Sequence, residues 1–207
     1  MNEANARYEF RAFAHDFGIV EDAIRRLASV VGYMESREIY IVSAATDEYN
    51  TKVRNALLDI KELIKCERGL EQWSPRIKRA FPLARETIEE EIHPLLGVTV
   101  TGLERHVYSL EQYLDEIVTP HPELSIVNVY KQRSEFDIDG CTTELANVYI
   151  NGARIKSACL ESIDPDLVLG VRERTRLNQY ENVNYLLEIK RVIGMEPLPD
   201  GVYYNAT

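Results

Sequence analysis

Apolar and polar residues alternate over Arg7 to Phe13 (RYEFRAF), with Tyr8, Phe10 and Ala12 on one face and Arg7, Glu9, Arg11 and Phe13 on the other. That period of two predicts a short strand whose charges share a face. From Asp16 to Tyr33 the period lengthens: Phe17, Val20, Ile24, Leu27, Val30 and Val31 fall at helical spacing, with Asp16 placed to cap the start and Gly32 near the end. Arg37 to Ala44 (REIYIVSA) is rich in β-branched and aromatic residues, and TKVRNALLDIKELIK, after the polar turn Thr46 to Asn50, supports two more strands. Leu57 to Lys65 also satisfies a helical spacing in part, and strand is the preferred reading. Pro75 and Pro82 bracket an extended piece, Arg76 to Phe81, and Ala84 to Ile92 reads as a helix with an acidic surface.

A helix around Tyr108 to Ile117, ended by the Thr119 to Pro122 run, marks 97–123 as a connector between a first half, 1–96, and a second half, 124–207, of one domain. The second half opens with the long strand Leu124 to Asp139. Thr142 to Ile150 and Ala153 to Leu160 follow, joined by Asn151-Gly152, a pair that accepts the positive φ both hairpin-turn positions require. Asp164 and Pro165 are a helix cap and first helical residue, and Glu181 to Ile193 reads as a last helix. Lys52-x-Arg54 followed by Asp59-Ile60 is echoed by Lys131-x-Arg133 followed by Asp137-Ile138, which suggests two similar sheets facing each other.

Composition narrows the classes. The chain is 45% hydrophobic and 28% charged, a soluble globular profile, and its 34 acidic against 24 basic residues give a net charge of -10. General affinity for nucleic acid or anionic membranes is not expected of it, so any basic site must be local. The three cysteines, Cys66, Cys141 and Cys159, have no C-x-x-C spacing and read as small buried hydrophobes in a reduced, cytoplasmic setting. No stretch reaches the roughly 18 apolar residues of a membrane span, and the amino terminus has no leader pattern.

Charge on alternate strand residues is where chemistry could sit. Glu9 and Arg11, Lys52 and Arg54, Asp59 and Lys61, Lys131, Arg133 and Glu135, and Glu144 must face solvent or the inside of a closed sheet. Strand by strand, a solvated face is the commoner case. Their repetition in an acidic chain points instead to a barrel with a cationic lumen, suited to a polyanion such as triphosphate. Glutamates there either neutralise neighbouring cations or bind a hard divalent ion, Mg²⁺ or Mn²⁺, with Glu9, Glu144 and Glu161 the candidates. The four histidines, His15, His93, His106 and His121, lack metal-ligand spacing and read as surface, cap or turn residues. Trp73 reads as a core or edge aromatic, with ligand stacking the minority alternative. No Walker A, G-x-G-x-x-G or G-x-S-x-G motif occurs.

The order RYEFRAF, helix, REIYIVSA, TKVRNALLDIKELIK, RIKRAFPL, VNVYKQRSEFDI, TTELANVYING and KSACLESI resembles the CYTH superfamily, the triphosphate tunnel metalloenzymes, over roughly Arg7 to Tyr185. The resemblance implies an α+β fold: a closed or nearly closed eight-stranded antiparallel tunnel of two similar halves, flanked by helices. It implies that Lys52, Arg54, Lys61, Lys131 and Arg133 contact phosphate and that Glu144 and Glu161 lie where metal-binding carboxylates belong. The family's E-x-E-x-K stands here as Arg7-x-Glu9-x-Arg11, which loses the first carboxylate and replaces Lys with Arg; the resemblance implies Glu9, Arg11 and Lys61 as the catalytic residues. In RIKRAFPL, Arg76, Lys78 and Arg79 stand where members usually show a glutamate pair, and Arg76 and Lys78 join the expected substrate-binding cations. The activity implied is metal-dependent hydrolysis of a small-molecule triphosphate or nucleotide, with a homodimer allowed. The alternatives are a weakened tunnel that binds a phosphorylated ligand, a class IV adenylate cyclase, and a non-tunnel interaction protein without phosphate affinity.

Overall fold

The computed structural model describes residues 6–198. The first half of the chain runs β1 (Arg7–Ala14), α1 (Ile19–Leu27), β2 (Val30–Ser43), β3 (Tyr49–Arg54), β4 (Leu57–Glu67) and β5 (Leu70–Ala80). A short strand β6 (Leu83–Ala84) leads into a π-helical turn, Thr87–Ile92, and α2 (His93–Leu95). After β7 (Val107–Tyr108) come α3 (Leu110–Gln112) and a second π-helical turn, Tyr113–Val118. The remaining elements are β8 (Leu124–Ile138), β9 (Cys141–Ile150), β10 (Ala153–Ser162), α4 (Pro165–Arg174) and α5 (Tyr185–Val192). Eight strands close an antiparallel barrel in the order β1-β10-β9-β8-β2-β3-β4-β5, and β6 pairs only with β7. This is the α+β tunnel the sequence resemblance implies.

Alternation along each strand sorts the residues into wall and lumen. Outward-facing Phe10, Ala12 and Leu160 pack under Phe17, Val20 and Ile24 of α1 and its approach, with Val168 and Val171 of α4. Each such buried Phe, Ile or Val contributes about 1.5–3 kcal/mol relative to exposure. On the other flank Ile41, Val53, Leu58 and Ile60 pack under Ile88, Ile92, Tyr113 and Ile117, so the segment between the halves is a packed layer. Inside the barrel the inward positions divide again. Towards one end they are apolar, Tyr40, Val127, Val129, Val148 and Phe13, and pack with Tyr185, Leu186 and Ile189 of α5. Beyond that plug the same rows carry charge.

Local chemistry explains the turns. Asn151 and Gly152 adopt φ of 45° and 91°, as the β9–β10 hairpin demands. Asp164 caps α4 by accepting from the Asp166 amide at 2.9 Å, with Pro165 at the first helical position.

Several sequence expectations are corrected. The helix expected over Asp16 to Tyr33 ends at Leu27; Val30, Val31 and Tyr33 already belong to β2, where β-branched and aromatic side chains find β8 as a partner. Asp16 does not cap α1 but accepts from Lys156 Nζ at 2.6 Å. Gly32 lies at a β2 bulge against Glu135, where a Cβ would stand 3.1 Å from a carboxylate oxygen. The proline-bracketed piece is part of a longer strand: Pro75 pairs with Lys61 beside a register shift between β4 and β5. The last helix starts at Tyr185 rather than Glu181, since Asn184 caps it by accepting from the Leu187 amide at 2.9 Å. His93 is buried in the core beside Tyr113, not at the surface, and Cys66 is exposed while Cys141 and Cys159 are buried. No helix among the described residues is long and apolar enough to cross a membrane.

Candidate functional site

The charged end of the lumen encloses a cavity of about 140 Å³ lined by Glu9, Arg11, Tyr40, Asn50, Lys52, Lys61, Trp73, Lys131, Arg133, Glu144, Glu161, Asn184 and Tyr185. Five cations face three carboxylates there, a local positive excess in an acidic chain. The barrel thus brings together residues from β1, β3, β4, β8, β9 and β10 that alternation alone could place only on faces. Arg54 reaches the same cluster through Glu38, at 3.6 Å. Arg76 and Lys78 are not brought to the cavity: Arg76 is exposed at the β4–β5 bulge, 3.7 Å from Glu62, and Lys78 is exposed on β5.

Arg11 is locked in place. Its Nε donates to Glu9 Oε1 at 2.8 Å and its Nη1 to Ser157 Oγ at 2.9 Å, with Glu144 Oε1 at 3.3 Å. Its guanidinium lies 4.5 Å from the centre of the Tyr185 ring. Glu144 turns its second oxygen to Arg133 Nη1 at 3.5 Å, so both its oxygens address guanidinium groups. Lys131 Nζ donates to Glu38 Oε2 at 2.7 Å and Tyr40 Oη at 2.9 Å, and stands 3.6 Å from the Tyr185 ring centre. By contrast, Lys61 has no ion-pair partner within the lumen among the described residues, and Asn50 Oδ1, Arg133 Nε and Tyr185 Oη are buried without a hydrogen bond. These are the groups with capacity left for a ligand.

Ionisation follows from this packing. Burial pushes Lys131 down to about 7, with Glu38 opposing the shift, and lowers Lys52 as well. Burial also opposes the charge on Glu38, but Lys131, Lys52 and Arg54 outweigh it and hold the carboxyl well below its usual range. Glu9 behaves alike: burial is overcome by Arg11, Lys61 and Lys52, and its pKa is lowered. Glu161 goes the other way, raised by burial and by the neighbouring Glu9 charge.

The donor set can be tested against a divalent ion. Among the described residues no group of three His, Cys, Asp or Glu comes together as an all-protein cage. Mg²⁺, however, is commonly held by one or two carboxylates with substrate phosphates and water completing its shell. Glu9 and Glu161 fit that pattern: they are directly paired across β1 and β10, and among the described residues Glu161 has only Arg7, at 3.8 Å, as an ion-pair partner. Glu144 has both oxygens near arginines, Arg11 at 3.3 Å and Arg133 at 3.5 Å.

Sequence reasoning did not single out Glu38, Tyr40, Asn50, Asn184 or Tyr185. The first two were within reach, since REIYIV puts Glu38 and Tyr40 on the face opposite Ile39 and Ile41. Asn184 and Tyr185 carry no local signal; they enter the lumen because α5 plugs the barrel. Trp73 is buried, lines the cavity and donates from Nε1 to Glu71 at 2.9 Å.

No sequence family profile and no curated protein matches the chain. Solved structures do. HpAC1, a candidate adenylyl cyclase of Hippeastrum described as having a dominant triphosphatase activity, is similar over 93% of this chain and 98% of its own, at 15% identity and a TM-score of 0.51. A candidate adenylate cyclase of Bacillus halodurans covers 92% of this chain and 91% of its own (11% identity, TM-score 0.44). A chain of the Schizosaccharomyces pombe Mediator head module covers 91% and 94% (7% identity, TM-score 0.40). At 15% identity the likeness to HpAC1 is one of fold, and it agrees with the tunnel implied by the CYTH resemblance.

Proposed function

We propose that the lumen binds a triphosphate-bearing small molecule and, with Mg²⁺ or Mn²⁺, hydrolyses it. The observation that carries this reading is the convergence of Arg11, Lys52, Lys61, Lys131 and Arg133 on one enclosed cavity of a chain whose net charge is -10. Lys61 and Arg133, with donors to spare, bind phosphate oxygens, Arg133 in forked geometry and Lys61 as a point charge. Lys131 supplies positive potential from the wall, and Lys52 adds a further donor. Glu9 and Glu161 would hold a divalent ion, which would supply positive charge to the phosphate oxygens. Arg11, fixed by Glu9, Glu144 and Ser157, presents a preorganised charge to the anion. The triphosphatase activity described for HpAC1, which shares the fold, agrees with this reading.

A second reading, ligand binding without turnover, is favoured by one observation: Glu144 and one oxygen of Glu9 are engaged by arginines, leaving few carboxylate oxygens for a metal. The deciding experiment measures phosphate release from inorganic triphosphate, ATP and thiamine triphosphate with Mg²⁺ or Mn²⁺, beside thermal-shift binding. Turnover abolished by chelation is the expected result. Stabilisation without turnover selects the second reading, and no response to any compound overturns both.

A further inference from the structure

We infer that Glu38 is a positioning residue of the phosphate clamp, holding Lys131, Lys52 and Arg54 as one charged unit; the inference rests on the phosphate reading of the lumen.

Glu38 occupies an inward position on β2 with 1% of its side chain exposed. A carboxylate so buried requires a compensating partner, and one cation would suffice. Three are present. Lys131 lies at 2.7 Å and Lys52 at 3.6 Å from Oε2, and Arg54 lies at 3.6 Å from Oε1. A fourth is tied in through a hydroxyl: Arg133 Nη2 donates to Ser36 Oγ at 3.4 Å, and Ser36 Oγ donates to Glu38 Oε1 at 3.4 Å. One carboxylate thus gathers cations from β3 and β8, the two strands that carry the repeated Lys-x-Arg pair. The direct cluster keeps an excess of positive charge, an imbalance that serves a polyanion better than it serves the fold.

Distance divides the work among the cations. Lys131 is spent on Glu38, Tyr40 and the face of Tyr185, so it acts through its charge. Lys52 and Arg54 sit beyond hydrogen-bond reach of Glu38, held by charge while their N–H groups stay available to an anion. Glu38 therefore sets where these donors stand without consuming them.

The two roles for Glu38 predict opposite signs. If it only balances charge, Glu38→Gln leaves the lumen at least as positive and triphosphate binds equally or more tightly. If it positions, affinity falls although a negative charge is gone. The test is calorimetric titration of inorganic triphosphate and, separately, orthophosphate into wild type, Glu38→Gln and Glu38→Asp in chelator, with near-ultraviolet circular dichroism as the fold check. Glu38→Asp keeps the charge but withdraws the carboxylate by one methylene, and serves if the glutamine variant does not fold. The expected result is triphosphate affinity weakened about tenfold or more in each folded variant, with orthophosphate affected less, because only the longer anion needs several cations at fixed spacing. Unchanged or tighter triphosphate binding, or an equal loss for both anions, overturns the role of Glu38 while wild-type binding keeps the phosphate reading. Wild type that binds no triphosphate overturns both.

Discussion

Replacing Arg11 with methionine keeps most of its apolar stem and deletes the guanidinium that joins Glu9 at 2.8 Å, Ser157 at 2.9 Å and Glu144 at 3.3 Å. Removing one partner of a buried ion pair costs about 3–5 kcal/mol, because the other charge is left without compensation. Glu144 retains Arg133 at 3.5 Å, which places Arg11→Met near the lower bound, about 3 kcal/mol. With a urea m-value of roughly 2–3 kcal/mol per molar, the unfolding midpoint drops by about 1–1.5 M. The loss also depends on pH. In wild type Glu9 is held below its unfolded pKa, so it adds stability above the ordinary carboxylate range, and that stability is lost as pH falls through the lowered value. Without Arg11 the Glu9 pKa rises, so the gap between variant and wild type is largest at pH 8 and narrows on acidification. Urea titrations across that range measure both effects. A midpoint within about 0.3 M of wild type at pH 8 would refute the account of Arg11 as the buried keystone of the lumen.

Two further outcomes follow from the titrating groups. Burial lowers His93 from 6.5 to about 4, so the folded state gains stability above 6.5 that is lost progressively as pH falls towards 4. The shift corresponds to about 3 kcal/mol, and His93→Leu, compared by urea unfolding at pH 7 and 4.5, should show a shallower loss; identical slopes would exclude His93 as the cause. Lys131, lowered to about 7, is protonated below that pH and neutral above it, so metal-free triphosphate affinity falls as pH rises through neutrality. Calorimetry from pH 6 to 8.5 should find the decline in wild type and a flatter profile in Lys131→Met, and parallel profiles would show that another group titrates.

Strand positions were legible because alternation is local: Glu9 and Arg11 against Phe10 and Ala12, or Lys52 against Val53, declare two faces in the sequence itself. The same pattern could not say which strands are neighbours, so Arg76 and Lys78 read like Lys52 although the β4–β5 bulge and the rim keep them out of the cavity. Helix ends were less legible. Val30 and Val31 suit a helical spacing from Phe17, and only pairing with β8, more than a hundred residues away in the chain, makes them strand. Contributions from outside the sheet, such as Tyr185 beneath both Arg11 and Lys131, arise from where α5 docks, which has no period to read. Glu38 shows a different limit: its alternation was visible, but its meaning lies in three cations that the barrel alone assembles.

The apolar filling beneath α5 has a consequence for traffic. With Phe13, Val127, Val129 and Val148 packed against Tyr185 and Ile189, that end of the lumen is filled by side chains among the described residues. On the proposed triphosphate reading, that filling keeps a linear polyphosphate from passing through the barrel, and the anion enters by its terminus. On the same reading, the group that carries the terminal phosphates stays at the charged end, and discrimination between organic groups falls to the residues there. If the lumen turns over its ligand as proposed, product leaves by the route of entry, and the cations that draw the anion inward also delay its departure.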